Sequence, residues 1–278
     1  MSIKLSGISV YPIKSVKGIP RDSAVVGEKG LVGDRMLMVT DDSGGFLTQR
    51  DIPALSLIEA SVSDASLKLA APGAGSVIVP IEGGPTLKPV EVWRDRCEAQ
   101  DLGPGAADWI SSFLGAECRI VRMPDEGTRP LDPKYGGGKV SFADAFPVLL
   151  IGESSLEELN SRLKEKLPMN RFRPNLVVIG SAPFEEDRWK RIRIGECEFR
   201  VVKPCARCVV TTIDQTSGNK TGKEPLKTLA NFRQAKDVLP EAFESYGLDP
   251  NVVLFGQNLI PVTLGASIEI GDVVEVLE

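Results

Sequence analysis

The sequence predicts a mainly β fold with some helices, an α+β protein, on three observations. Short alternating or β-branched runs recur along the chain, turn residues separate them, and only two stretches carry a helical period. Glycine (27) and proline (20) are plentiful, which favours many turns over a helical bundle. In chain order the expected strands begin with Ile8 to Ile13, Met36 to Val39, Ser66 to Leu69, Ser76 to Val79 and Val90 to Trp93. A helix is expected over Ala106 to Leu114, because Ala107, Trp109, Ile110, Phe113 and Leu114 share one side and Gly115 stops it. Arg119 to Arg122 then closes the first half as a strand. Phe146 to Ile151 opens the second half, ahead of a helix with Ser155 and Glu158 in capping-box spacing. Leu156, Leu159, Leu163 and Leu167 give that helix its apolar stripe, and Pro168 is its expected end. Strands follow at Leu176 to Ile179, Ile192 to Ile194, Glu198 to Val202 and Val209 to Ile213. The tail pairs Val262 to Leu264 with Ile268 to Val276 as a meander suited to closing a barrel.

A length of 278 residues suits two modest domains, each able to bury a core. From Pro124 to Gly138 the sequence fills with Pro, Gly and charge, which marks the boundary between segments 1–122 and 123–278. That stretch reads as a long exposed loop, either a plain linker or an active-site flap. Hydrophobic residues make up 42% of the chain and charged residues 26%, as in ordinary soluble proteins. The net charge of −5, with no basic tract, argues against nucleic acid as a partner. No apolar stretch is long enough to span a bilayer and none reads as a signal core, so no membrane partner and a cytoplasmic location are expected.

Histidine is absent, which removes Ser-His-Asp and Cys-His catalysis and every His-ligated zinc site. Chemistry must then run on Cys, carboxylates, Lys or Arg, Tyr, or a cofactor. The cysteines are Cys97, Cys118, Cys197, Cys205 and Cys208, an odd number in a chain too long to need a disulfide framework. Three readings of Cys205-Ala206-Arg207-Cys208 are bland. Half a zinc site lacks its second pair, a thioredoxin motif should open a helix, and a buried structural pair should lack the flanking Lys203 and Arg207. A reactive or ligating role stands beside them, because basic neighbours favour a thiolate. Asn170-Arg171-Phe172-Arg173-Pro174-Asn175 supplies forked donors for phosphate or carboxylate, unless its arginines are merely solvated. Tyr11-Pro12-Ile13-Lys14-Ser15 with Gly33-Asp34-Arg35 gives a third anion-binding candidate, and neither cluster has Walker A or Rossmann glycine spacing.

Taken in order, YPIKS, GDR, NRFRPN, PCARCVVTTID and LFGQN resemble the MOSC family with its N-terminal β-barrel domain, over nearly the whole chain. Within the family the likeness is to the amidoxime-reducing proteins of mitochondria and their bacterial relatives. The resemblance implies a MOSC-type β-barrel packed against an N-terminal β-rich domain, with the cofactor site between them. It implies Mo-molybdopterin as cofactor, Cys208 as the thiolate ligand of molybdenum, and Lys14, Ser15, Arg35, Asp144, Arg173 and Asn175 as cofactor-binding positions. A soft dithiolene-bound metal suits a soft thiolate, and an anionic pterin phosphate suits Arg and Lys. The implied reaction reduces N-hydroxylated small molecules. With no histidine in the chain, Asp214, beyond the strand expected after Cys208, and Asp144 are the carboxylates first in line to deliver protons, with a structural role in fixing loops as the alternative for each. This chain has Ala206 where some relatives have serine, and neither an iron–sulfur domain nor a membrane anchor is expected, so a separate protein would supply the electrons. The alternative is a non-catalytic cofactor or sulfur carrier with a persulfide on Cys205. A third is an idle β-barrel binding module.

Overall fold

The computed structural model describes residues 2–63, 65–127 and 129–278. It is mainly β with few helices, as expected. The largest sheet has eight strands in the order Ile19–Arg21, Lys4–Val10, Leu176–Ile179, Val148–Gly152, Leu254–Pro261, Cys197–Ala206, Arg191–Ile194 and Val274–Val276. Val148–Gly152 and Leu176–Ile179 run parallel, because the helix Glu153–Ser161 crosses over between them. Alternation along these strands sends Leu5, Leu150, Leu176, Val178, Phe199 and Leu259 into one core. A second sheet is ordered Leu37–Thr40, Arg119–Arg122, Asp95–Asp101, Leu87–Val92. Beside it the meander Glu59–Ser63, Ser66–Ala71, Gly75–Pro80 and the helix Pro104–Leu114 share a core around Leu67, Leu69, Ala106 and Ile110.

Strand pairing crosses the position between residues 122 and 123. Lys4–Val10 lies against Leu176–Ile179, and Ser23–Gly27 pairs with Ser267–Glu269. The turn after Ser23–Gly27 depends on Gly30, whose φ is +100° and where a Cβ would come within 2.4 Å of the Pro147 carbonyl.

Four expectations need correction. The capping box does not form, because the helix starts at Glu153 and Ser155 lies inside it. Its hydroxyl donates instead to the carboxylate of Glu186 (2.7 and 2.9 Å), which also takes the Gly152 N–H at 3.1 Å. The same helix stops at Ser161 rather than near Pro168, where Asn160 bonds both the N–H and the carbonyl of Leu167 and closes the chain into a loop. Val209–Thr212 is a 3-10 turn, not a strand. The Thr211 and Thr212 hydroxyls donate back to the carbonyls of Cys208 (2.9 Å) and Val209 (2.7 Å), which competes with any ladder. The tail does not pair with itself. Ser267–Glu269 and Val274–Val276 join two different sheet edges, which buries Ile268 and Val274 as a lone hairpin could not. The expected loop 124–138 is also more ordered than a linker. Arg129–Pro130 pairs with Lys139–Val140, and the buried Arg129 guanidinium holds Asp95 and the carbonyls of Ser141 and Ala143. Thr128 lies outside the described residues.

Glu186 is fully buried, and burial pushes its carboxyl above the ordinary glutamate value of 4.5, although bonds from Ser155 and Gly152 oppose the shift. A carboxyl raised on folding binds more protons in the native state, so its contribution falls as pH rises above 4.5 through the folded value. Glu186→Gln is therefore expected to reduce the loss of stability between pH 5 and pH 8, read as urea midpoints, and an unchanged slope would remove Glu186 as its source.

Candidate functional site

A cavity of about 390 Å³ opens where residues from both sides of position 122 meet. Its wall takes Lys14, Ser15, Arg35, Arg50 and Trp93 from the first half, and Asp144, Phe172, Arg173, Asn175 and the run Lys203 to Cys208 from the second. Clefts of about 730 and 770 Å³ lie elsewhere, but no cysteine lines either among the described residues. Every expected cofactor-binding position reaches the smaller cavity. Asp214 does not.

Six basic side chains, Lys14, Arg35, Arg50, Arg173, Lys203 and Arg207, face one acidic one, Asp144, in the wall. Lys14 is buried, donates to the Phe142 carbonyl at 2.8 Å and pairs with Asp144. Burial lowers the Lys14 pKa, with Asp144 opposing it, while burial of Asp144 is outweighed by Lys14 and Arg50, so its carboxyl falls below the usual range. The Asp144 side chain is 58% exposed at the cavity mouth, so solvent screens this pair. Arg35 and Arg173 both lie over the Tyr11 ring, at 4.4 and 4.3 Å from its centroid. Arg35 is paired with the buried Asp34 at 2.5 Å. Among the described residues the one hydrogen-bond contact of the Arg173 side chain is to Gln215 at 3.5 Å, and burial pushes its pKa down to about 10, still a cation at neutral pH. Two guanidiniums packed on one ring repel each other, and an anion between them would relieve it.

Asn175 reaches the wall, but its amide is engaged by the protein. It donates to the Ser9 carbonyl (3.1 Å) and Asp34 (3.0 Å), and accepts from Arg35 (3.1 Å) and the Leu149 N–H (3.2 Å). It thus fixes Asp34 and Arg35. Asp214, a candidate for proton delivery or for fixing its loop, is engaged by its own loop. Its carboxylate takes the Thr216 and Ser217 N–H groups and pairs with Arg171 at 3.1 Å, and those backbone bonds hold it below the usual carboxylate range. It organises the turn after Ile213.

Cys205 is the penultimate residue of the strand Cys197–Ala206, and Cys208 precedes the 3-10 turn with extended backbone. Each sulfur has its own guanidinium. Arg207 Nη1 donates to Cys205 Sγ at 3.0 Å, and Arg50 Nη2 to Cys208 Sγ at 3.3 Å. Arg207 Nε is buried and unpartnered. The four-residue motif is followed by the single 3-10 turn Val209–Thr212 and not by the α-helix that a thioredoxin motif opens. No His, Cys, Asp and Glu cluster suited to a metal occurs among the described residues, which leaves the half-zinc reading without its second half.

Sequence reasoning missed Arg50 and Trp93. The Arg50 guanidinium sits 4.4 Å from the Trp93 ring centroid, and Trp93 Nε1 lies 3.3 Å from Asp144. Trp93 occupies the tight turn between Leu87–Val92 and Asp95–Asp101 with φ +58°, where glycine or asparagine is usual. A tryptophan in a hairpin turn was the available signal. Among the described residues five non-glycine residues have positive φ, and four of them, Ser15, Arg35, Trp93 and Arg173, line this one cavity. Strain concentrated in this way marks a functional site.

Fold and cavity together define a mainly β protein with a cationic, cysteine-bearing pocket assembled from both halves of its chain. The sequence matches the MOSC N-terminal beta barrel domain over residues 2–117 and the MOSC domain over residues 137–275. The chain belongs to the MOSC family. It is 34% identical over 284 residues to mitochondrial amidoxime-reducing component 1 of Homo sapiens, covering 96% of this chain and 81% of that protein. It is 35% identical over 244 residues to mitochondrial amidoxime reducing component 2 of Bos taurus, covering 82% and 72%. A molybdenum cofactor sulfurase of Oryza sativa subsp. japonica is 34% identical over 257 residues, covering 84% of this chain and 31% of that protein.

Proposed function

We propose that this chain is a molybdenum-cofactor-dependent oxidoreductase that reduces N-hydroxylated compounds, such as amidoximes and hydroxylaminopurines, to amidines or amines. The observation that carries the reading is one cavity holding Cys208 together with Lys14, Ser15, Arg35 and Arg173, in a chain whose relatives are named amidoxime-reducing components. The pocket fits the group. A soft sulfur donor suits molybdenum, and Arg173, a cation that pairs with no carboxylate among the described residues, suits an anionic phosphate. In this reading Cys208 ligates the metal, Arg173, Lys14 and Ser15 hold the pterin end, and Arg35 is steadied by Asp34 and Asn175. The segments 1–122 and 123–278 serve as the two domains that meet at the pocket. The five free cysteines support a reducing, cytosolic location.

When bound, the cofactor supplies the two-electron reduction that cleaves the N–O bond. The balance is R–NHOH + 2e− + 2H+ → R–NH2 + H2O, with electrons from a separate donor protein. The chain contains no histidine to relay protons, and Asp144 and Asp214 are both held as carboxylates. Both are poor acids at neutral pH, so the proton sources the pocket offers are water, the substrate itself and the lysine ammoniums of Lys14 and Lys203, whose pKa values burial lowers.

Protein made in cells able to synthesise the cofactor, supplied with chemically reduced viologen, is expected to convert benzamidoxime to benzamidine. Stoichiometric molybdenum without turnover of any N-hydroxylated substrate would favour the second reading, a cofactor or sulfur carrier. That reading is supported by Cys205, whose sulfur shares the pocket and is bonded by Arg207.

A further inference from the structure

Among the described residues Arg50 is the one guanidinium that donates to the sulfur of Cys208, and it reaches that sulfur across 158 positions of sequence. Its loop is fixed by the turn Thr48 to Asp51 and by Lys220, which donates to the Arg50 carbonyl at 3.3 Å. The side chain is pinned by stacking on Trp93, and Trp93 is in turn packed on Phe46 with centroids 5.0 Å apart. Asp144 stands 3.8 Å from Arg50, too far for a hydrogen bond, and is already paired with Lys14. Nε and Nη1 of Arg50 have no side-chain or backbone partner among the described residues, and the side chain is 24% exposed. Two guanidinium donors thus stand free at the Cys208 end of the cavity, on a side chain that the neighbouring indole holds in place.

A substrate oxygen presented at the Cys208 end of the cavity would meet this guanidinium, whose Nη2 lies 3.3 Å from Cys208 Sγ. Breaking the N–O bond builds negative charge on that oxygen before a proton arrives, and a fixed planar donor beside it stabilises the charge. Arg35 and Arg173 are gathered instead on Tyr11, where Arg35 is tied to Asp34. Resting on the proposed reductase reading, we propose that Arg50, braced by Trp93, is a specificity-determining residue that receives the oxygen of the substrate's N–O bond. It favours N-hydroxy compounds whose oxygen carries negative charge readily, hydroxamates and amidoximes above simple alkylhydroxylamines.

The test needs no turnover. In the unloaded full chain carrying Cys205→Ser, iodoacetamide alkylates Cys208, and benzhydroxamate is expected to protect it while benzamide, which lacks the N–O oxygen, does not. Arg50→Gln is expected to raise the half-protecting benzhydroxamate concentration at least about tenfold, the loss of one hydrogen bond from a charged donor to the N–O oxygen. Arg50→Lys, which keeps a cation over Trp93 but lacks the fork, should fall between. Molybdenum content of loaded Arg50→Gln should equal that of the parent. Absent protection, or protection indifferent to Arg50, overturns the assignment. A fall in molybdenum content overturns it too, by making Arg50 a cofactor contact. Failure of the reductase reading would show separately, as loaded parent protein inactive on benzamidoxime.

Discussion

Replacing Cys208 by serine is expected to abolish reduction of benzamidoxime and to lower molybdenum occupancy, while Cys205→Ser keeps the metal and much of the activity. A hydroxyl is a harder and far weaker acid than a thiol, so serine does not substitute for a soft thiolate at neutral pH. The fold gives no reason for Cys208→Ser to unfold. Its carbonyl, not its sulfur, anchors the following turn through the Thr211 N–H and hydroxyl. Elemental analysis and activity on matched preparations read both effects. If Cys205 proved the essential residue, the ligand assignment would be wrong and the carrier reading would gain.

Arg173→Ala is expected to weaken cofactor retention by roughly one to two decades. A charge-assisted contact contributes ~1.5–3 kcal/mol, at ~1.4 kcal/mol per factor of ten. Arg173 is the clean probe because, among the described residues, a 3.5 Å contact to Gln215 and the Tyr11 face are what hold its side chain. Arg35→Ala should also lower retention, but it removes the partner of Asp34, which is buried and bonded to the Tyr11 N–H and Asn175. Unpairing a buried charge costs about 3–5 kcal/mol, so Arg35→Ala is expected to destabilise the fold as well. Molybdenum content after dialysis, set beside urea midpoints, separates the two. Full occupancy in Arg173→Ala would retire the anchoring role.

Strands with a clean period were legible. Leu176–Ile179 and Arg119–Arg122 form where expected, because alternation and bounding turn residues act locally. The helix near Ser155 was placed but its cap was not. Its real partner, Glu186, lies 31 residues away in sequence. The β-branched run after Cys208 read as a strand, yet two threonine hydroxyls turn it into a 3-10 turn, a local competition that period counting does not see. Lys14, Ser15, Arg35, Asp144, Arg173 and Asn175 were picked out by type and order and do converge. Asp214 was picked out by proximity in sequence and turned out to serve its own loop.

What the sequence by itself determined is which chemistry is available: no histidine, a lone pair of nearby cysteines with basic neighbours, and basic motifs with glycine turns in a β-rich chain. Those follow from composition and short spacing, which need no knowledge of contacts. Only the tertiary structure decided which groups are free and which are engaged. It ties Asn175 and Arg35 to Asp34, leaves Arg173 without a carboxylate among the described residues, and sets Arg50, stacked on Trp93, from the first half against Cys208 from the second. Pairings separated by more than a hundred residues depend on how sheets register and strands cross between halves, and no local pattern encodes that.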